Sequence, residues 1–159
     1  MTVKLHEMLG LADAPSNGFA WHDLIIEGLP SRAMRTLASC LGVTWRQLAE
    51  ITAPGVPFDR RQPLSPELAN VLYRVALALR QVMPSVQNDM RRSALWLRNP
   101  NAELRGRTPI LLLQTHIGAE FVFTAISRMK PEPAGVSSYA KFESTDELAK
   151  AEETEEPEL

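Results

Sequence analysis

Apolar residues recur at helical spacing along most of the chain, which predicts a series of short helices. The clearest helix follows Ser31, which we expect to act as its N-cap, and Gly42 has the position and residue type of a helix C-terminus. Thr44 and Gln47 then have the spacing of a capping box, in which each side chain accepts a backbone N–H of the other residue. That second helix is predicted to end near Thr52.

Further helices are predicted on both sides of this pair, and no segment alternates apolar and polar residues as a half-buried strand does. The fold class is therefore predicted to be all-α. Proline and serine mark several of the starts, because serine caps a helix and proline is tolerated in its first turn. The predicted segments lie within Lys4–Leu11, Trp21–Glu27, a start at Ser65-Pro66 that runs to Pro84, Ser85–Leu97, Pro109–Ile117 stopped by Gly118, and Ala119–Met129.

The most informative segment is the polar connection between Asn99 and Thr108, which we call the elbow. A helix must end before Pro100, because the residue that precedes a proline is pushed out of the α region. Thr108 and Pro109 then provide an N-cap and a first helical residue. The elbow joins two amphipathic helices and holds no catalytic group, which favours a binding function.

The helix pair around Gly42 predicts the first half of a helix-turn-helix. Its recognition helix would fit only between Pro57 and Gln62, which gives roughly 9 Å of helix, under two turns. Arg46, Arg60 and Arg61 surround this segment and are candidates for contacts with DNA phosphates or guanine edges. The alternative, arginines on a solvated face, stays open.

Composition indicates a cellular compartment, and the charged residues are distributed unevenly along the chain. The chain has 159 residues, 45% of them apolar, and one cysteine, Cys40, which favours a reducing, cytoplasmic location. No run is long enough for a transmembrane helix. Residues 143–159 hold eight acidic side chains against Lys150, a net −7, whereas the other 16 basic and 11 acidic residues give residues 1–142 a net +5. We expect this acidic tail to be disordered.

Catalytic and metal-binding patterns are missing from the sequence. His6, His22 and His116 are far apart and form no metal-ligand pair, and no glycine-rich phosphate loop is present. Cys40 lies on the apolar side of its predicted helix, where a buried small side chain is the expected role. We therefore expect no enzyme activity, no cofactor and no bound metal.

Residues 20–129 resemble a family of antitoxins of the Xre/MbcA/ParS type. The upstream Glu27-Gly28-Leu29-Pro30, the helix pair around Gly42 and Leu64-Ser65-Pro66-Glu67 look like the Xre-like half of that family. The downstream part looks like its C-terminal toxin-binding domain, through Leu95-Trp96-Leu97-Arg98-Asn99-Pro100-Asn101, Leu104, Gly106, Thr108-Pro109, Leu112-Leu113, Thr115, Gly118-Ala119, Val122 and Ile126-Ser127-Arg128-Met129.

The resemblance implies a partner protein, a RES-domain toxin that consumes NAD or uses it for ADP-ribosylation. Such antitoxins cover the toxin's NAD cleft with the C-terminal domain and the residues after it, are commonly dimeric, and in many cases repress their own operon. Arginines and aromatic residues after the elbow are the candidate contacts. The predicted toxin-binding residues are Arg98, Arg128, Lys130, Tyr139 and Phe142, within a surface that also includes Asn101, Arg105 and Arg107.

We divide the chain into an Xre-like region (1–83), a toxin-binding domain (84–130) and a flexible acidic tail (131–159). The chain continues for 30 residues past Met129, which is longer than is usual in the family. That extension could reach deeper into the toxin, contact a second partner or serve as a degradation signal. Two alternative functions stay open: a repressor that binds operator DNA, and an adaptor or immunity protein for a secreted effector.

Overall fold

The computed structural model describes residues 3–131, and within this range the chain forms α-helices joined by short turns, with no strand. The all-α prediction is confirmed. Residues 1, 2 and 132–159 lie outside the described range, and so do the predicted contacts Tyr139 and Phe142. The helices are α1 Leu5–Met8, α2 Gly18–Glu27, α3 Arg32–Leu41, α4 Trp45–Thr52, α5 Pro66–Val82, α6 Met90–Arg98, α7 Pro109–Leu112 and α8 His116–Ser127, with 3-10 turns at Met83–Val86 and Ala102–Leu104.

Helix α5 is the centre of the fold and is packed by α1, α2, α3, α6 and α8. Its apolar residues are inaccessible to solvent on more than one face, including Leu72, Val75 and Leu79. A fully buried side chain of this kind contributes about 1.5–3 kcal/mol. The buried residues form one continuous cluster from Leu5 to Ile126, so α1–α4 and α6–α8 share the core built on α5.

Several helix ends lie where local sequence chemistry predicts them. Gly42 follows α3 with φ +73°, a left-handed conformation that a side chain would disfavour. The capping box at Thr44 and Gln47 forms in both directions, with bonds of 3.1 and 2.8 Å. Ser65 Oγ accepts the backbone N–H of Leu68 at 3.2 Å and begins α5.

Of three further predicted N-caps, Ser31 and Thr108 lie at the N-cap positions of α3 and α7 but make no side-chain cap bond, and Ser85 is wrong. The Ser31 hydroxyl makes no cap bond and donates to the backbone oxygen of Arg60 at 2.5 Å. Ser85 lies inside a 3-10 turn, and α6 is capped by Asp89, whose carboxylate accepts two backbone N–H groups. Thr108 precedes α7 without a side-chain bond, although Pro109 does occupy the first helical position.

Gly118 does not stop a helix, contrary to the prediction. Helix α7 is only four residues long, and α8 begins after Thr115, whose hydroxyl accepts the N–H of Gly118 at 2.9 Å. Gly118 lies in the first turn of α8, where the backbone of α7 passes so close that no side chain fits. A Cβ atom there would lie 2.1 Å from the Leu112 carbonyl oxygen.

The predicted recognition helix between Pro57 and Gln62 is absent, and residues 53–65 form turns and extended backbone. The prolines remove backbone donors, and Asp59 bonds locally in a way that competes with a helix. Its carboxylate accepts the backbone N–H of Arg61 at 2.9 Å. We call residues 53–65 the connection.

Long-range side-chain bonds hold α7 and α8 against the earlier helices. Arg74 of α5 donates to the carbonyl oxygens of Leu113 and Gln114 at 2.9 and 3.1 Å. The Gln114 amide in turn donates to the carbonyl oxygen of Ile51. Of the helices in residues 3–131, none is long and apolar enough to cross a membrane.

Candidate partner-binding surface

The elbow is braced by its own backbone and by one side chain. Asn101 and Arg107 pair as an antiparallel bridge, with the N–H of Asn101 donating to the Arg107 oxygen at 3.0 Å. The Asn101 side chain accepts the N–H of Glu103 at 2.8 Å, and the Asn101 oxygen accepts the N–H of Gly106 at 2.9 Å. Leu104 points inward and is buried. These local bonds make the elbow a short, closed loop.

An open groove lies between this elbow and α8, with a volume of about 490 Å³. Two of its residues are large apolar side chains that face solvent, Ile117 at 69% and Phe121 at 61% exposure. The remaining lining residues are Glu103, Leu104, Arg105, Arg107, Leu112, Thr115 and Gly118. We call this feature the elbow groove.

Helix α8 exposes apolar residues because it is apolar on two sides. Its inner side packs into the core through Ala119, Val122 and Ile126. Ile117 and Phe121 are four residues apart and therefore lie together on the outer side. A surface helix of a protein without partners usually carries polar residues there, so this outer side has the composition of a binding surface.

Positive charge flanks the elbow groove. Arg105 and Arg107 are exposed and line it. Within residues 3–131, neither guanidinium forms an ion pair or a side-chain hydrogen bond. An apolar anchor with unpaired arginines beside it suits a partner segment that presents an apolar side chain and carboxylates.

The three predicted toxin-binding residues inside the described range lie outside this groove. Arg98 ends α6 and donates to the Leu41 carbonyl oxygen at 3.3 Å, at the C-terminal end of α3. Arg128 and Lys130 are exposed just beyond α8. Arg128 is about 16 Å along the helix axis from Ile117, given 1.5 Å per residue. Within residues 3–131, no hydrogen bond or ion pair joins Arg98 to Arg128 or Lys130.

The three predicted DNA-binding arginines do lie together, around a second open cleft of about 670 Å³. Trp45 and Phe58 contact each other there, with ring centres 5.1 Å apart. The guanidinium groups of Arg35 and Arg46 lie 5.4 and 5.2 Å from the Trp45 ring centre. We call this the arginine cleft, lined by Arg35, Trp45, Arg46, Phe58, Asp59, Arg60 and Arg61.

Comparison with protein families shows what the C-terminal part of the described range is similar to. Residues 78–130 match the model of the antitoxin Xre/MbcA/ParS C-terminal toxin-binding domain. These residues, about a third of the chain, are therefore similar to that toxin-binding domain. The matched segment begins within α5 and contains the whole elbow groove. No curated protein matches the chain.

Ile117 and Phe121 are the surface residues that sequence reasoning missed. The prediction placed Ile117 in a helix ending at Gly118, which separated it from Phe121. A single helix beginning at Thr115 puts both on one face, and the Thr115–Gly118 spacing of an N-cap bond was the available signal. The segment matched by the family model therefore exposes two apolar side chains in addition to the charged residues that were predicted.

Cys40 is partly buried rather than fully buried as predicted, and burial raises the pKa of its thiol. No group of three or more His, Cys, Asp or Glu side chains in residues 3–131 is placed to hold a metal ion.

Proposed function

We propose that this chain is an antitoxin for a RES-domain toxin, an enzyme that consumes NAD or uses it for ADP-ribosylation. The antitoxin would bind the toxin through the elbow groove and cover its active-site cleft. The observation that supports the proposal most is the exposed Ile117–Phe121 pair inside the matched toxin-binding domain. The RES class comes from the resemblance of residues 20–129 to antitoxins that act on such toxins.

Steric inhibition requires a docking surface and no reactive group, which agrees with the chemistry of the elbow groove. Phe121 is the expected anchor, because aromatic residues in a pocket contribute a disproportionate share of binding energy. Arg105 and Arg107 would pair with carboxylates at the rim, where charge mainly raises the association rate. Arg128, Lys130, Tyr139 and Phe142 would extend the contact beyond α8.

Three finer features belong to the same proposal: a homodimer, a cytoplasmic location and repression of its own operon. The last depends on DNA binding by the arginine cleft, which lacks the helix predicted between Pro57 and Gln62. An immunity or adaptor protein would use the same groove on a secreted effector, and the partner's identity distinguishes that case from a RES toxin.

The test is co-expression with a RES-domain toxin from the same genome, with cellular NAD as the readout. We expect the wild-type chain to preserve NAD and Phe121→Glu to lose protection, with toxin affinity reduced at least about 30-fold, as for a hot-spot residue worth about 2 kcal/mol. Phe19→Glu is the matched control, since Phe19 of α2 is 83% exposed and lies outside the matched domain.

Circular dichroism and unfolding midpoints of both variants show whether the fold is intact. Full NAD depletion in the presence of the wild-type chain would reject the RES partner. Equal toxin affinity of the Phe121→Glu and Phe19→Glu variants would instead reject the elbow groove as the contact surface. The two outcomes therefore separate the partner class from the site.

A further inference from the structure

The arginine cleft carries more positive charge than the described residues neutralise. Asp59 is its only carboxylate among the lining residues, and it pairs with Arg61 at 3.2 Å. Arg35, Arg46 and Arg60 form no ion pair with any residue in the range 3–131. Like charges held this close favour the binding of an anion.

The floor of the cleft suits a flexible polypeptide rather than a small ion alone. The Trp45 and Phe58 rings pack against each other, and two guanidinium groups lie near the Trp45 ring. A cation beside an aromatic ring keeps its N–H groups available at its edge for carboxylate oxygens. The cleft therefore combines a contact surface for methylene groups with donors for several carboxylates.

We propose that residues 143–159 of the same chain bind the arginine cleft. This segment has eight acidic side chains against one lysine. Its seven glutamates and one aspartate would supply the partners of Arg35, Arg46 and Arg60, and the apolar parts of its side chains would lie on Trp45 and Phe58. The proposal is independent of the toxin, because the cleft lies outside residues 78–130.

The intervening chain is long enough for this contact. Residues 132–142 span about 36–40 Å when extended, at 3.3–3.6 Å per residue. A folded domain of about 130 residues has a radius of gyration of about 14 Å, so the extended linker is about as long as the domain is wide. A tether of this length gives the acidic segment an effective concentration in the millimolar range at the cleft.

The observations favour the acidic segment over DNA as the occupant. A helix-turn-helix protein reads the major groove with an exposed helix, and residues 53–65 contain none. The arginines instead surround a cleft lined by the connection. Residues 143–159, with a net charge of −7, provide the carboxylates within the same chain.

The experiment compares the full-length wild-type chain with a neutral-tail variant, in which the eight acidic residues of 143–159 are changed to Gln or Asn. The readout is the Trp45 indole N–H signal in a nitrogen-15 correlation spectrum, assigned with Trp45→Phe. We expect the Trp45 signal to differ between the two proteins at low salt and to converge near 1 M salt, where the Debye length is about 3 Å. Trp21 and Trp96 are internal references.

A matched pair of backgrounds locates the contact. In the Arg46→Gln/Arg60→Gln background, neutralising the tail should no longer shift the Trp45 signal. The Arg80→Gln/Arg91→Gln background removes the same charge from exposed positions elsewhere, and there the shift of the Trp45 signal should persist. A tail effect that is absent, or that survives loss of Arg46 and Arg60, overturns the proposal. A tail effect that weakens on dilution would show contact between copies and overturns the intramolecular form.

Duplex DNA provides the competing outcome. Because the tail would occupy the cleft, neutralising it should tighten low-salt DNA binding by about tenfold, through loss of a millimolar tethered competitor. The gain should disappear in the Arg46→Gln/Arg60→Gln background. The contrary outcome has two parts: the wild-type and neutral-tail chains bind DNA equally, and both lose DNA binding when Arg46 and Arg60 are changed. That outcome would identify the cleft as an open nucleic-acid surface and reject the tail as its occupant.

Discussion

The elbow and the connection are both polar, proline-containing segments between helices, yet they are held in place differently. The elbow closes on itself through the Asn101–Arg107 bridge and the Asn101 side chain. The connection depends on residues far away in sequence, with Ser31 donating to Arg60 and the N–H of Leu64 donating to the Leu29 oxygen at 2.8 Å.

This difference has a functional consequence. A loop that carries its own hydrogen bonds can present a preformed surface, which lowers the ordering cost of binding a partner. The elbow groove has that character. The connection takes its shape from the segment between α2 and α3, so the arginine cleft depends on the packing of the N-terminal helices.

The largest effect is expected where α7 passes against α8, the wall that supports the elbow groove. Gly118→Ala places a Cβ atom 2.1 Å from the Leu112 oxygen, so α7 and α8 must separate. We expect a loss of about 1–3 kcal/mol in the free energy of unfolding, as for an overpacked site. Urea unfolding followed by circular dichroism measures it.

Gly18→Ala is the control, because Gly18 also lies in the first turn of a helix and a Cβ atom there meets nothing within 4 Å. It should be neutral or stabilising by up to about 1 kcal/mol. Equal stability of the two variants would mean that α7 does not lie against Gly118. The elbow would then lack the support that we assign to it.

Gly118 also shows which parts of the fold could be read from the sequence. The helix ends at Gly42 and Thr44 were predicted, because their signals are local and use residues a few positions apart. Gly118 was misassigned as a helix stop, because the same residue type also serves close packing. Only the position of the Leu112 carbonyl group distinguishes the two roles.

The candidate sites were predictable to different degrees for a similar reason. The elbow was located correctly, because Pro100 and Pro109 fix its limits. Arg46, Arg60 and Arg61 line one cleft, which is consistent with the common surface predicted for them. The short helix expected between Pro57 and Gln62 is absent. Predicting that Ile117 and Phe121 share a face requires the correct start of α8. Predicting that the elbow forms the opposite wall of the groove requires knowledge of the tertiary packing.

A smaller effect is expected from the brace inside the elbow. Asn101→Ala removes the bond from the Glu103 N–H, and we expect a loss of about 1 kcal/mol, typical of a cap residue. Thr108→Ala is the control, because Thr108 makes no side-chain cap bond and should change stability by less than about 0.5 kcal/mol. Unfolding midpoints and toxin affinity are measured together.

If the elbow is a preformed surface, Asn101→Ala should also weaken toxin binding while Thr108→Ala leaves it unchanged. A loss of affinity that is equal in both variants would indicate that the toxin contacts the side chains directly. No loss in either would show that the brace does not shape the groove.

The smallest effect is expected in the connection, at Asp59. Hydrogen bonds from the backbone and then the side chain of Arg61 hold the pKa of the Asp59 carboxyl below its usual range. Its stabilising contribution is therefore complete above the unfolded pKa of about 3.9 and is lost as pH falls through the lowered folded value. Because Asp59 is exposed, salt and water screen this contribution.

Asp59→Asn keeps an acceptor for the Arg61 N–H but removes the charge. The wild-type chain should be slightly more stable than this variant at pH 7, and the advantage should shrink as urea unfolding is repeated at successively lower pH. An advantage that grows towards low pH would reverse the sign we assign to Asp59. An advantage at pH 7 larger than the Asn101→Ala effect would show that the connection, like the elbow, is held mainly by its own local bonds.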